Sequence, residues 1–348
     1  MRDMWNVIRE LQAEGQPVVL VTVTATSGAT PRGAGARMLV GREGRLWGTI
    51  GGGAVEYRSQ QLARQVLERR ESGQHQFTLT REDVEDLGMI CGGNVEVFFH
   101  YIPQRAPEVV ALAEEALARM ERGQALWLIS NISQGGDLSL YTKNRQVIGK
   151  PVPQWVLERL SRKPKVVEQD GQRYCVEQIN DAGRVLIFGC GHVSQELEPV
   201  LSHVGFRCVV MDDRPEFARR ELFPTAEAVK LVDFSNIAAS VDIGPEDYVC
   251  VMTRGHAFDT VIQAQVLKCH PCYVGVIGSR KKAAGVHQAL KTGYGLTEEE
   301  LSQVITPIGL EIGAETPAEI AVSVAAQMIQ HRARLLSQEE GVSTEKLP

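Results

Sequence analysis

Apolar positions along this chain change their period several times, and each change marks an element. MRDMWNVIRELQAEG opens as an amphipathic helix, and VVLVTVTATSG (18–28) reads as a β-rich run. ATPRGAGARMLV is a Gly/Pro-rich turn leading into a strand, REG (42–44) is a hairpin turn, and RLWGTIGGG is a strand ending in three glycines. AVEYRSQQLARQVLERRESG has apolar or small residues at 54, 55, 62, 63, 66 and 67, close to helical spacing, with Gly73 expected to stop it. FTLT and, after a polar stretch, NVEVFFHYI complete this part as strands.

Residues 104–180 repeat the plan in reduced form. PEVVALAEEALARMERG is a helix, ALWLISNIS echoes VVLVTVTATSG, and LSLYTKNRQVIG echoes ARMLVGREGRLWGTIG with a polar turn in the same place. PQWVLERLSRK predicts a helix, and QRYCVEQI echoes NVEVFFHYI. This pattern points to an internal duplication. The first copy carries PRGAG, GGG and CGG, and the second has none of them. Glycines needed only for the fold should survive in both copies, so their confinement to one points to a site there.

From 183 the character changes. GRVLIFGCGHVSQELEPVLSHVGFRCVVMDD reads strand, glycine-rich turn, helix, strand, acid, the opening of a βαβ unit. DYVCVMT and CYVGVIGS are short apolar runs suited to buried parallel strands, with a helix near DTVIQAQVLKC between them. Thr316, Pro317 and Glu319 suit the start of a closing helix. The expected fold class is therefore α/β: a mixed α+β domain over 1–180 with an internal duplication, a Rossmann-like doubly wound parallel-sheet domain over 181–336, and a polar tail over 337–348.

Composition adds limits. Hydrophobic residues make up 43% and charged residues 23% of the 348, an ordinary globular balance. No apolar run approaches the roughly 20 residues of a membrane span, and the opening helix lacks a signal-peptide core, so a cytoplasmic protein is expected. A net charge of −6 does not favour nucleic acid. The seven cysteines are an odd number, and Cys269-His-Pro-Cys272 has no second pair to complete a zinc set, so no disulfide framework or zinc site is expected.

Candidate chemistry in the first domain gathers on glycines. Arg32 and Arg37 flank PRGAGAR, Gly51, Gly52 and Gly53 stand at a strand-to-helix junction, and Glu56 follows in the first turn. Such a junction can cradle a phosphate, whereas Glu56 suits the N–H groups of a purine- or pterin-like edge, or simple helix charge compensation. Cys91 precedes Gly92 and Gly93 at a strand entry, either as a thiol contact to a ligand or as a buried structural cysteine. In the second domain Gly189-Cys-Gly191-His192-Val-Ser194 is a G-x-G-x-x-S turn, and Asp212 stands at the ribose-carboxylate position. His256 and Asp259 follow a third strand, and Ser279, Arg280 and Lys281 a fourth, suited to an anion. All four segments should share the carboxyl edge of the sheet, in a cleft expected to face the first domain. No catalytic set is evident, and Cys91 is the one candidate metal contact.

Taken together, TSGATPRGAGARML, GTIGGGAVE, MICGGNVEVF, LIFGCGHVSQEL, VMTRGHAFD, YVGVIGSRKK and TPIGLEIGAETPAEIAVSVAAQMI resemble the XdhC/CoxI family over nearly the whole chain. The resemblance implies a xanthine dehydrogenase accessory protein rather than an enzyme. Such a protein binds the molybdenum cofactor, as molybdopterin or its dinucleotide form, and guards it during sulfuration with a cysteine desulfurase. It then delivers the cofactor to a molybdenum hydroxylase such as xanthine dehydrogenase. No nucleic-acid or membrane partner is implied, and a homodimer is left open. The chain departs from relatives at Ala54, where many carry Cys, at Ser194, where Ala is frequent, and at Arg254, where some carry His. The rival reading is an NAD(P)-dependent oxidoreductase built on residues 185–310, and a third is a nucleotide-sensing module without chemistry.

Overall fold

The computed structural model describes residues 1–28, 30, 32–78, 93–133, 135–142, 147–180, 183–254 and 256–338. The chain divides into two units, Met1–Asp181 and Ala182–Pro348.

The first unit is built twice over. α1 (Arg2–Ala13), β1 (Val18–Gly28), β2 (Arg37–Gly41), β3 (Gly44–Thr49), α2 (Gly53–Arg69), β4 (Gly73–Thr78) and β5 (Gly93–Ile102) form the first copy. α3 (Pro107–Glu121), β6 (Leu126–Asn131), β7 (Leu138–Thr142), β8 (Val147–Gly149), α4 (Gln154–Leu157), β9 (Lys165–Gln169) and β10 (Gln172–Asn180) form the second. The antiparallel sheets run β3-β2-β1-β5-β4 and β8-β7-β6-β10-β9. Replacing each strand by its counterpart turns one order into the other, so the repeat read in the sequence is a repeat of topology.

Strand alternation gives each sheet two faces. Val18 and Leu20 of β1 and Leu39 of β2 share one core with Trp5 and Ile8 of α1 and Leu112 and Ala116 of α3. Leu126, Leu128 and Leu140 of the second sheet join that same core. The opposite face of the first sheet, with Val19, Val21, Met38 and Phe99, packs against Val55 and Ala63 of α2. Ile129, Val176 and Val156 form the matching core behind the second sheet. Each large side chain so buried stabilises by about 1.5–3 kcal/mol. Gln12 ties the copies together: its Oε1 accepts the Ala106 N–H at 2.7 Å and its Nε2 donates to the Pro103 carbonyl at 3.0 Å.

Two boundaries differ from the sequence reading. The helix expected over PQWVLERLSRK is cut to Gln154–Leu157, because the Arg159 N–H turns tightly onto the Val156 carbonyl and Pro164 lies ahead. α2 ends at Arg69, its C-cap Arg70 takes a left-handed φ of 60°, and Gly73 opens β4 instead of closing the helix.

The second unit holds β11 (Val185–Phe188), α5 (His192–His203), β12 (Cys208–Asp212), β13 (Ala228–Leu231), β14 (Tyr248–Val251) and α6 (His256–Leu267). β15 (Tyr273–Val276), α7 (Arg280–Tyr294), α8 (Glu298–Ser302), β16 (Val304–Ile305) and α9 (Pro317–Gln338) follow. Its six-stranded sheet has the order β13-β12-β11-β14-β15-β16, every pair parallel. This is the 3-2-1-4-5-6 order of dinucleotide-binding folds, whose strand order reverses beside the first strand. Leu186 and Phe188 face one core and Val185 and Ile187 the other, as expected for strands buried on both sides.

Candidate functional site

Register places the glycine-bearing segments of the first copy at one end of its sheet. Arg37 pairs with Thr22 and with Thr49, and Gly28 pairs with Gly93. The β1–β2 connection, glycines 51–53 and the start of β5 therefore leave the sheet on the same side. Cys91 and Gly92 lie outside the described residues.

Gly51, Gly52 and Gly53 have φ values of 125°, 75° and 60°, a run that side chains on L-residues strongly oppose. Glu56 holds this turn from within. Its Oε2 accepts the N–H groups of Ile50 at 3.0 Å and Gly52 at 3.1 Å, together with the Thr49 hydroxyl, and Arg45 donates to Oε1 at 2.6 Å. Burial alone would raise the carboxyl pKa, but these donors outweigh it and hold Glu56 below its ordinary value. Glu56 is therefore engaged with its own loop rather than displayed to a ligand edge. A Cβ built at Gly33 or Gly52 meets nothing within 4 Å, so the backbone is open to approach at both. Arg32 is exposed beside Gly33.

Arg37, expected near a ligand, is buried and ion-paired with Glu177 of β10. It joins β2 of the first copy to β10 of the second, a role no local motif announces.

In the second unit the four expected segments leave the carboxyl edge of the sheet, each directly after a strand. Gly189 has φ 110°, and a Cβ there would stand 2.4 Å from the Met252 carbonyl oxygen, so only glycine lets these strand ends converge. Gly191 caps α5 and meets nothing within 4 Å, leaving the helix entrance open next to the exposed His192. Ser194 is buried with its hydroxyl 3.6 Å from the Met252 sulfur, at the helix–strand packing position usually given to the third glycine.

Asp212, expected to face a ribose, is 1% exposed and committed inward. Its Oδ2 accepts the Cys190 N–H at 2.7 Å, and Arg214 donates to Oδ1 at 2.8 Å and Oδ2 at 3.1 Å. Burial raises its pKa, but these donors, the Arg214 guanidinium foremost, bring it net below the ordinary value. The half-buried neighbour Asp213 moves the other way, raised by burial and by Asp212. Burial and Asp212 push the Cys190 thiol up to about 12, so it is no nucleophile.

His256 opens α6, and Asp259, one turn later, is fully buried and accepts the Thr253 hydroxyl. Ser279 and Lys281 are exposed at the start of α7, which Arg280 opens. Among the described residues no His/Cys/Asp/Glu group is arranged to hold a metal ion, and Cys269 and Cys272 are reduced thiols.

Comparison with known proteins matches both units. The family model for the XdhC and CoxI family covers residues 11–78, and that for the XdhC Rossmann domain covers 185–328. A protein of Bacillus subtilis (strain 168), named as a probable subunit of xanthine dehydrogenase, is 27% identical over 348 residues, spanning 96% of this chain and 99% of its own. The "Molybdenum cofactor insertion chaperone PaoD" of Escherichia coli (strain K12) is 24% identical, spanning 95% of this chain and 87% of its own. A solved structure of a xanthine dehydrogenase from Bacillus halodurans, 23% identical, superposes with a TM-score of 0.78 over 99% of this chain and 98% of its own, and so shares the fold. With the glycine-marked first copy matched by one model and the parallel sheet by the other, the chain belongs to the XdhC and CoxI family.

Proposed function

We propose that this protein acts in molybdenum cofactor maturation, binding the cofactor as cargo, sheltering it during sulfuration by a cysteine desulfurase and passing it to a molybdenum hydroxylase of the xanthine dehydrogenase kind. The names of two relatives support the setting. The observation that carries the reading is the gathering of the glycine segments at one end of one sheet, in the copy that has them and not in its topological twin.

That end suits the cargo. Open backbone at Gly33 and Gly52 lets a flat pterin or its phosphate come within van der Waals reach, and Arg32 supplies charge for the phosphate. Glu56 holds the triple-glycine turn in its left-handed course through bonds within the loop itself, which favours a preorganised site. Cys91, Gly92 and Gly93 form the third segment, with the thiol as soft partner to the metal or its labile sulfur. The chain's work in this reading is to hold and shield its cargo.

A second reading follows from the second unit. The 3-2-1-4-5-6 order and the open Gly191 favour a nucleotide at its carboxyl edge. That nucleotide is either the nucleotide portion of a dinucleotide cofactor or NAD(P), with Gly189, Gly191, His192, Asp212, His256, Asp259, Ser279, Arg280 and Lys281 as the candidate surroundings.

Titration with isolated molybdopterin cofactor tests the first reading. Gly52→Val should weaken binding by about tenfold or more, and Arg32→Ala should weaken it mainly at low salt. Unchanged affinity in both variants, or NAD(P)-linked turnover that survives purification, contradicts it.

A further inference from the structure

A cavity of about 380 Å³ lies within the first unit, at the end of the second sheet that corresponds to the glycine-rich end of the first. It is reached between the β6–β7 connection, the end of β8 and the start of α3. Val109 and Leu112 of α3 give it apolar walls. Glu108, Asp137 and Lys150 stand exposed on its lining.

The unusual wall is His100, contributed by β5 of the first copy. It is 7% exposed, and its Nδ1 has no hydrogen-bond partner. Burial holds the imidazole neutral, with the pKa lowered to about 4. The loop is shaped around it: a Cβ at Gly136 would stand 2.7 Å from His100 Nδ1 and 2.8 Å from Ser72 Oγ, and Gly136 has φ 72°. His100 thus lines the cavity with its Nδ1 covered by Gly136 and Ser72.

We propose that this cavity is a binding site for an uncharged, flat nitrogen heterocycle that carries both N–H donors and carbonyl acceptors, the chemistry shared by purine and pterin rings. Its volume lies within the range of small-molecule sites. The apolar walls accept ring faces, the Glu108 and Asp137 carboxylates accept ring or amino N–H groups, and Lys150 donates to a carbonyl. Neutral His100 complements either kind of group. Two carboxylates against one ammonium disfavour a phosphate or carboxylate ligand. The site lies in the copy without the triple glycine, and it does not rest on the cargo reading above.

The test titrates the purified full chain with hypoxanthine, with pterin and with benzoate as an anionic flat control, by calorimetry and ligand-observed NMR. Saturable binding of hypoxanthine or pterin is expected, the tighter one identifying the source, with benzoate weaker by about tenfold or more. Leu112→Trp, which fills the cavity, should abolish binding. Glu108→Gln with Asp137→Asn, on exposed positions that leave the fold intact, should weaken it by about tenfold. Hypoxanthine binding should be unchanged in Gly52→Val, in the other copy, which separates this site from the cargo site. Failure of both probes to bind at about 1 mM, benzoate binding as tightly, or unchanged affinity in the rim double variant overturns the proposal.

Discussion

The Asp212 carboxylate accepts the Cys190 N–H at 2.7 Å across a sequence separation of 22, so the acid ending the second strand of the parallel sheet holds the middle of the glycine turn that follows the first. Arg214 completes the carboxylate's partners from two residues on. Asp212→Asn removes the charge from a buried, fully hydrogen-bonded group and leaves the Arg214 guanidinium only the more distant Asp213 carboxylate, at 3.8 Å. It should destabilise the second unit by about 2 kcal/mol, read by denaturant unfolding. A change below about 0.5 kcal/mol would show that the turn needs no such clasp.

Glu56→Gln tests whether the triple-glycine turn is held by a carboxylate. The amide keeps one acceptor oxygen but loses charge-assisted bonds from Arg45 and from two backbone N–H groups. A loss of about 2 kcal/mol in stability is expected, together with faster amide exchange at Ile50 and Gly52. Native exchange rates at those two amides contradict the assignment.

Arg37 and Glu177, 140 residues apart, lend themselves to a double-mutant cycle. Glu177→Leu alone leaves the buried Arg37 charge without its partner and should cost about 3–5 kcal/mol. Arg37→Met with Glu177→Leu should cost less than that single change, because no charge is then stranded. Strict additivity of the two substitutions would show that the ion pair does not join the copies.

His100 gives the first unit a pH signature. The native imidazole stays neutral down to about pH 4, whereas the unfolded one protonates below its ordinary 6.5. Between those values the unfolded chain binds more protons, so stability rises with pH through this window and is unaffected by His100 above it. The full effect is about 3 kcal/mol, present as a penalty below pH 4. Glu56 and Asp212, both lowered, lose their stabilisation only below their ordinary values of 4.5 and 3.8. His331 in the second unit is also lowered by burial, so the comparison is between variants. His100→Gln should flatten the curve between pH 5 and 6.5, and an unchanged slope contradicts a buried neutral imidazole.

Local patterns in the sequence disclosed what local physics decides. Period-two runs located the strands, the echo of VVLVTVTATSG in ALWLISNIS foretold two sheets of one topology, and strand–GCG–helix–strand–DD foretold the parallel sheet. Partnerships across long separations were not legible. Arg37 and Asp212 stand where ligand-binding residues are sought, and each proved to be turned inward to a partner fixed only by the tertiary fold. The His100 cavity carries no motif because its walls come from separate segments of both copies. One signal was available: in NVEVFFHYI, His100 shares a strand face with Phe98 and Ile102, a polar residue in an apolar slot.

The most direct test of cofactor binding is to release and identify whatever co-purifies with the full chain from cells able to make molybdenum cofactor. Acid-iodine oxidation should give pterin fluorescence near one equivalent per chain in the wild type and far less in Gly52→Val of equal thermal stability. Absence of a releasable pterin from the folded wild-type protein, with bound NAD(P) in its place, would contradict it.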